Sequence, residues 1–179
     1  MVNIIDQIIF TFSNNKSLYI GEGLTISEHM IQTAMLAENN KSSSDLICSS
    51  LLHDYGHFVI EDPNQLVSDK IDGNHEAIGA NYLKNFFSNE IIEPILLHVD
   101  AKKYLARDEK YFNNLSEASK ISLKLQGGIM NNEEVKKFEQ KRNYKNAIKL
   151  RRFDENAKKQ NIKIKKIEDY KELLISKII

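Results

Sequence analysis

Residues 46–58 read LICSSLLHDYGHF, which sets His53 and Asp54 side by side at the end of an apolar run of small residues. Beside Leu51, Leu52 and Phe58, an ionised carboxylate is costly to bury unless something compensates its charge. A divalent metal is one such partner. His53 can then offer a nitrogen to one ion while the Asp54 carboxylate bridges to a second. Taken alone, the dipeptide is more simply a helix end with Asp-Tyr-Gly as its cap, so the rest of the chain has to decide.

Two prolines and seven glycines in 179 residues, against abundant Leu, Ile, Ala, Lys and Glu, point to an all-α protein. The length suits a single domain over 1–179 with a buried core. Cys48, the lone cysteine, excludes a disulfide framework and a thiolate zinc site, which fits a reducing, cytoplasmic setting. No window is apolar enough to span a membrane, and the N-terminal MVNIIDQIIF has no basic flank, so it is read as a folded helix. Charge is uneven. Residues 1–100 carry 4 Lys/Arg and 14 Asp/Glu, a net −10, and residues 101–179 carry 21 and 11, a net +10. Most of those lysines, including Lys103, Arg152 and the run 158–166, are read as solvated helix faces rather than as a nucleic-acid surface.

Apolar residues at 4, 5, 8, 9 and 12 give the first helix, closed by Asn14 to Ser17. After the glycine-flanked loop LYIGEG, Thr25-x-x-Glu28 is a capping box that opens a helix to about Asn39. A third helix runs from Ser43 or Ser44 to Tyr55, with Gly56 as its stop. A polar connection containing Pro63, Asp69, Asp72 and Gly73 leads to a helix opening near Asn74. Ser88 caps a short turn, and Pro94 suits the first position of the next long helix, which ends near Tyr104. Ser116 starts a helix that stops at Gln126-Gly127-Gly128, and Asn131 to Glu134 mark a fresh start. A helix over 143–158 and a final amphipathic helix complete the chain, with no confident strand.

All five histidines fall between 29 and 98, on four predicted helices. Intervals of 24, 22 and 23 residues separate His29, His53, His75 and His98, one helix plus one loop each time, so each helix can offer one imidazole to a shared centre. Imidazole and carboxylate donors suit Fe, Mn, Zn or Ni. Four His with Asp54 and Asp154 exceed what one tetrahedral zinc with an open position needs. They match two metals about 3.5–4 Å apart sharing a carboxylate.

The order H29…H53-D54…H75…H98…D154 resembles the HD-domain superfamily of helical metalloproteins. Further blocks surround it: Y19-I-G-E22-G, L51-L-H-D-Y-G-H57, N74-H-E-A-I-G-A, E93-P-I-L-L-H-V-D-A-K-K-Y-L, S122-L-K-L-Q-G-G and L150-R-R-F-D154. Together, over residues 18–158, they resemble the mixed-valence di-iron HD oxygenases that cleave the carbon–phosphorus bond of hydroxyphosphonates. Myo-inositol oxygenase is a more distant relative. The resemblance implies a helical bundle around two Fe ions, Fe(II)/Fe(III), with O2 as co-substrate. It places His29, His53, Asp54 and Asp154 on one iron, and His75, His98 and the bridging Asp54 on the other. It implies that Tyr19 occupies iron before substrate arrives and that Glu22 meets a substrate amino group.

Lys102 lies one helical turn after His98 and Arg151 three residues before Asp154, so both face the centre and resemble the family's phosphonate-binding positions. Ser119 or Ser122 and Gln126 add neutral donors, and His57, one turn after His53, sits behind the ligands or faces the substrate. The expected partner is a small anionic organophosphonate carrying an amino, trimethylammonium or plain hydroxymethyl group; no nucleic acid or membrane is expected, and the protein is expected to be a monomer or weak homodimer. The rival reading is an HD phosphohydrolase in which the metals generate hydroxide. A non-catalytic binding module on the same scaffold is a third.

Overall fold

The computed structural model describes residues 3–19, 21–59 and 74–179, so the polar connection with Pro63, Asp69, Asp72 and Gly73 lies outside the described residues. The described residues form helices joined by turns, with two isolated bridges, Leu18 to Thr25 and Phe87 to Ile178, and no named strand.

Helix α1 (Ile4–Asn14) opens on Asn3, whose side chain accepts from the Ile5 amide, and turns Ile4, Ile5, Ile8 and Phe12 inward. Helix α2 (Ile26–Asn39) starts at the expected capping box, with the Thr25 and Glu28 side chains satisfying each other's amides. Helix α3 (Ser44–Leu52) is shorter than its pattern suggests. It ends at Leu52, and the chain tightens through i→i+3 bonds, Tyr55 N to Leu52 O and His57 N to Asp54 O, both 3.0 Å. Gly56 therefore does not end a helix; it begins a short one, α4 (Gly56–Val59). Its hydrogen is required by a backbone packed against it. A Cβ there would collide with the His75 carbonyl oxygen and lie 2.9 Å from the Gly79 nitrogen.

Helix α5 (His75–Leu83) follows Asn74, which takes a left-handed φ of 47°. The long α6 (Asn89–Leu105) starts at Ser88, so Pro94 is not its first residue but its sixth. The proline withdraws one amide from the Glu90 carbonyl near the helix start, where Glu90 is partly exposed and water can replace the bond. Helix α7 (Glu109–Asn114), capped by Asp108, was not foreseen. Helices α8 (Glu117–Leu125) and α9 (Asn132–Glu139) begin at the expected Ser116 and Asn131. The paired glycines after α8 sit at φ 93° and 80°, which ends it as expected. Helix α10 (Tyr144–Asn156) is followed by a connection, a 3-10 turn at Ile167–Tyr170 and α11 (Lys171–Ile175).

Helix α6 is the axis on which α3, α5 and α10 pack, and α2 closes against α3 and α10. The largest core cluster joins α1, α2, α3, α5 and α6 through residues such as Ile8, Met30, Leu51, Leu83 and Ile95. Ile167, Tyr170 and Leu174 of the tail belong to the same cluster. On the way there the tail is fastened to α2, where the Gln32 side chain pairs with the Lys159 backbone in both directions at 2.8 and 3.1 Å. The tail is thus part of the body of the protein.

Candidate metal centre

Five elements deliver six side chains to one buried point. His29 comes from the first turn of α2, His53 and Asp54 from the tight turn after α3, and His75 from the first residue of α5. His98 comes from the middle of α6 and Asp154 from the last turn of α10. All but His75, which is partly buried, are essentially sealed from solvent.

The Asp54 carboxylate divides the cluster. Its Oδ2 lies 3.4 Å from His53 Nε2 and 3.6 Å from His29 Nε2, while its Oδ1 lies 3.2 Å from His75 Nε2 and 3.5 Å from His98 Nε2. On one side His29, His53 and Asp154 converge; on the other, His75 and His98 do. The Nε2 atoms are 3.2 Å apart in the first pair and 3.1 Å apart in the second.

Hydrogen bonds at the opposite ring nitrogens set the chemistry. Nδ1 of His29 lies 3.0 Å from the Ala157 carbonyl, that of His53 2.9 Å from Ser50 and that of His98 2.7 Å from Ile95. A carbonyl only accepts, so each Nδ1 carries a proton, and in its neutral form each ring turns an Nε2 lone pair inward. Lone pairs facing each other at 3.2 Å repel unless positive charge lies between them. Asp154 Oδ1 points into the same space, buried and with no hydrogen-bond donor. Four imidazole nitrogens and carboxylate oxygens of Asp54 and Asp154, all turned into one buried space, fit divalent cations. The side with His29, His53, Asp154 and Asp54 Oδ2 could hold one ion with four protein donors. The side with His75, His98 and Asp54 Oδ1 offers three donors and leaves positions for exogenous oxygen ligands.

Burial works against ionising Asp54 and Asp154, yet both are held well below the usual carboxylate range. For Asp54 the charges of and bonds from His53 and His75 outweigh burial; for Asp154 the Arg151 charge does. Burial, with His75 alongside, holds His98 well below the normal histidine range and so in its ligating form.

The remaining expected residues surround this centre. The Tyr19 ring stacks on His29 at 4.1 Å, and burial together with Asp54 and Asp154 keeps its phenol protonated. His57 stacks on His75 at 4.3 Å and is pushed down to about 3 by burial and by His75, so it is neutral. Lys102 is buried and donates to Ser122 Oγ at 2.8 Å. Gln126 caps α8, its backbone amide donating to the Ser122 carbonyl at 2.9 Å.

Arg151 is more heavily engaged than its position suggests. It donates to Asp154, Glu155, the Tyr111 hydroxyl at 3.1 Å and Ser119 at 3.3 Å. Glu22 accepts from Ser116 Oγ at 2.6 Å and faces the Lys158 ammonium at 3.1 Å. Glu155, Ser116, Tyr111 and Lys158 escaped the sequence reading. Lys158 in particular is not on a solvated face: its side chain is only 9% exposed. The other half of the Arg-Arg-Phe-Asp block held a usable hint, because Glu155 directly follows Asp154 and is four residues from Arg151.

Residues 26–175 match the HD domain family. The chain is 46% identical to the [1-hydroxy-2-(trimethylamino)ethyl]phosphonate dioxygenase (glycine-betaine-forming) of Leisingera caerulea over 145 residues, covering 80% of this chain and 74% of that one. It is 39% identical to the hydroxymethylphosphonate dioxygenase of Gimesia maris over 161 residues, covering 88% and 79%.

Proposed function

The chain belongs to the HD domain family, and from that premise we propose that it is a dioxygen-dependent di-iron oxygenase cleaving the carbon–phosphorus bond of a small 1-hydroxyphosphonate. The observation that carries the reading is the Asp54 carboxylate divided between two imidazole groups, one of which has few enough donors to leave positions for substrate. Dioxygenase relatives on phosphonates give the reaction class. The two relatives differ in whether their substrate carries a cationic group, so likeness alone does not select the substrate of this chain.

His29, His53, Asp54 and Asp154 would hold one iron and His75, His98 and Asp54 the other. Bound there, the pair would supply a binding place for the substrate oxygens and for dioxygen, and the electrons that activate it. The protein's own groups do the rest. Lys102, with Ser122 beside it, offers charge-assisted donors to the phosphonate. Arg151 orients Asp154 and sets the positive field on that side rather than offering a free fork. The neutral His57 ring steadies His75, and Tyr19 covers His29 and keeps water from that flank. With hydroxymethylphosphonate, one dioxygen yields one formate and one phosphate with all atoms accounted for, so no outside reductant is required.

The deciding experiment gives the anaerobic iron-loaded protein hydroxymethylphosphonate and 2-amino-1-hydroxyethylphosphonate, then admits dioxygen. Phosphate and formate or glycine are expected only after dioxygen enters. Equal phosphate release without dioxygen would replace this reading with a metal-dependent phosphohydrolase.

A further inference from the structure

The loop that carries Tyr19 and Glu22 is clasped shut. Tyr19 N donates to Leu24 O at 2.7 Å and Glu22 N to Tyr19 O at 3.1 Å, so the loop is braced internally. It is also fastened from outside, because Gln160 Nε2 donates to the Glu22 carbonyl at 3.0 Å and leaves no room for a Cβ on Gly23. From this same segment Lys158 sends its ammonium to Glu22 Oε1. The ammonium is 2.8 Å from Ser119 Oγ, 3.2 Å from Ser116 Oγ, 3.4 Å from each Glu155 oxygen and 5.9 Å from the centre of the Tyr19 ring.

An ammonium has three N–H donors, and oxygen acceptors surround this one on several sides. The Glu22 and Lys158 side chains are 11% and 9% exposed, so the pair is largely sealed and only weakly screened by solvent. Glu22 is therefore already neutralised by a cation of the chain itself, with which a substrate cation would have to compete. For such a group to bind there, Lys158 must leave, which would strand its charge among partly buried partners.

We propose that Lys158 is a specificity-determining residue: its ammonium against Glu22 makes the site select hydroxyphosphonates without a cationic substituent. This rests on the proposed oxygenase reading, and the pair is tied to the centre through Ser119, whose hydroxyl accepts from both Lys158 and the Arg151 that holds Asp154. The expected natural substrate class is thus a small neutral-tailed hydroxyphosphonate such as hydroxymethylphosphonate. Ammonium-bearing homologues of that substrate are excluded by occupancy rather than by size.

Binding separates this proposal from the oxygenase reading. Calorimetry on iron-loaded protein would compare propylphosphonate with 2-aminoethylphosphonate, which have the same number of heavy atoms and lack the hydroxyl that permits turnover. The wild type should bind propylphosphonate more tightly. Lys158→Met should move the affinity ratio towards the amine by about tenfold, the size of one charge-assisted hydrogen bond exchanged, and Lys158→Arg should keep the wild-type order. Should Lys158→Met misfold, Glu22→Gln tests the same idea, because with Lys158 present it should leave the wild-type preference in place. A wild type preferring the amine overturns the proposal. So does a folded Lys158→Met with an unchanged ratio, or a Glu22→Gln that selectively loses the amine. Failure to consume dioxygen would instead count against the oxygenase, whatever the binding order.

Discussion

Asp54 is the residue on which the site turns, because its two oxygens face different imidazole pairs. Asp54→Ala should lose both metals, and elemental analysis should find far fewer than two per chain. Lys102→Ala should keep both and raise KM, since Lys102 donates to Ser122 and is not among the six clustered ligands. Two irons retained by Asp54→Ala would mean that the ligand assignment is wrong. The four histidines and Asp54 were legible in the sequence through their even spacing and the His-Asp pair, whereas Asp154, 56 residues after His98, was reached through the family resemblance. Lys158 was not legible. It opens a lysine-rich run, and its burial is created by two segments distant in sequence, the Glu22 loop and the start of α8, closing on it beside the end of α10. Cys48 makes a separate case. Fully buried and pushed up to about 12 by burial and by Asp45, it is a thiol and not a thiolate at any ordinary pH. Thiol-specific reagents at pH 8 should leave it unmodified in native protein and label it promptly in guanidinium.

At the scale of elements, α4 and α5 meet glycine to glycine, and that contact sets how far His75 stands from Asp54. Gly56→Ala should push α5 away from the turn after α3. The cost should be at least about 1–3 kcal/mol, as for other overpacked interiors, read from urea unfolding. Metal content should fall preferentially on the His75 and His98 side, giving close to one ion per chain. Gly56 shows what patterning conveys and what it hides. A glycine after a helical run signals a stop, and the helix does stop nearby, but the reason Gly56 is required lies in a backbone twenty residues away in sequence. Pro94 misled for a related reason. Its tolerance inside α6 depends on a carbonyl near the surface, which sequence spacing does not report. Helix α7 was missed because its six residues bury no side chain fully and so leave no periodic apolar pattern.

Across the whole molecule, the site is a point where α2, α6, α10 and the turn after α3 all converge, each bringing polar atoms into the interior. Without cations, six side chains share that space, two of them anionic carboxylates. Metal removal should therefore lower stability well beyond the site itself. An ion present at a hundred times its dissociation constant contributes about 2.7 kcal/mol, or roughly 5–11 °C in melting temperature for a chain of this size. Calorimetric scans of iron-loaded and chelator-treated protein should differ by that amount or more, and coincident melting curves would count against a cation holding these helices together.

One hydrogen bond has a consequence for synthesis. His29 is fixed by the Ala157 carbonyl, 128 residues later in the chain. At roughly 5–20 residues per second, a ribosome needs about 6–26 s to travel from one to the other. During that interval the imidazoles and Asp54 emerge, while Asp154 and the carbonyl that orients His29 do not yet exist. The half of the site built from Asp54, His75 and His98 is complete first, and the half containing His29 is finished only once the end of α10 has been made. Metal loading of the full centre thus waits for α10.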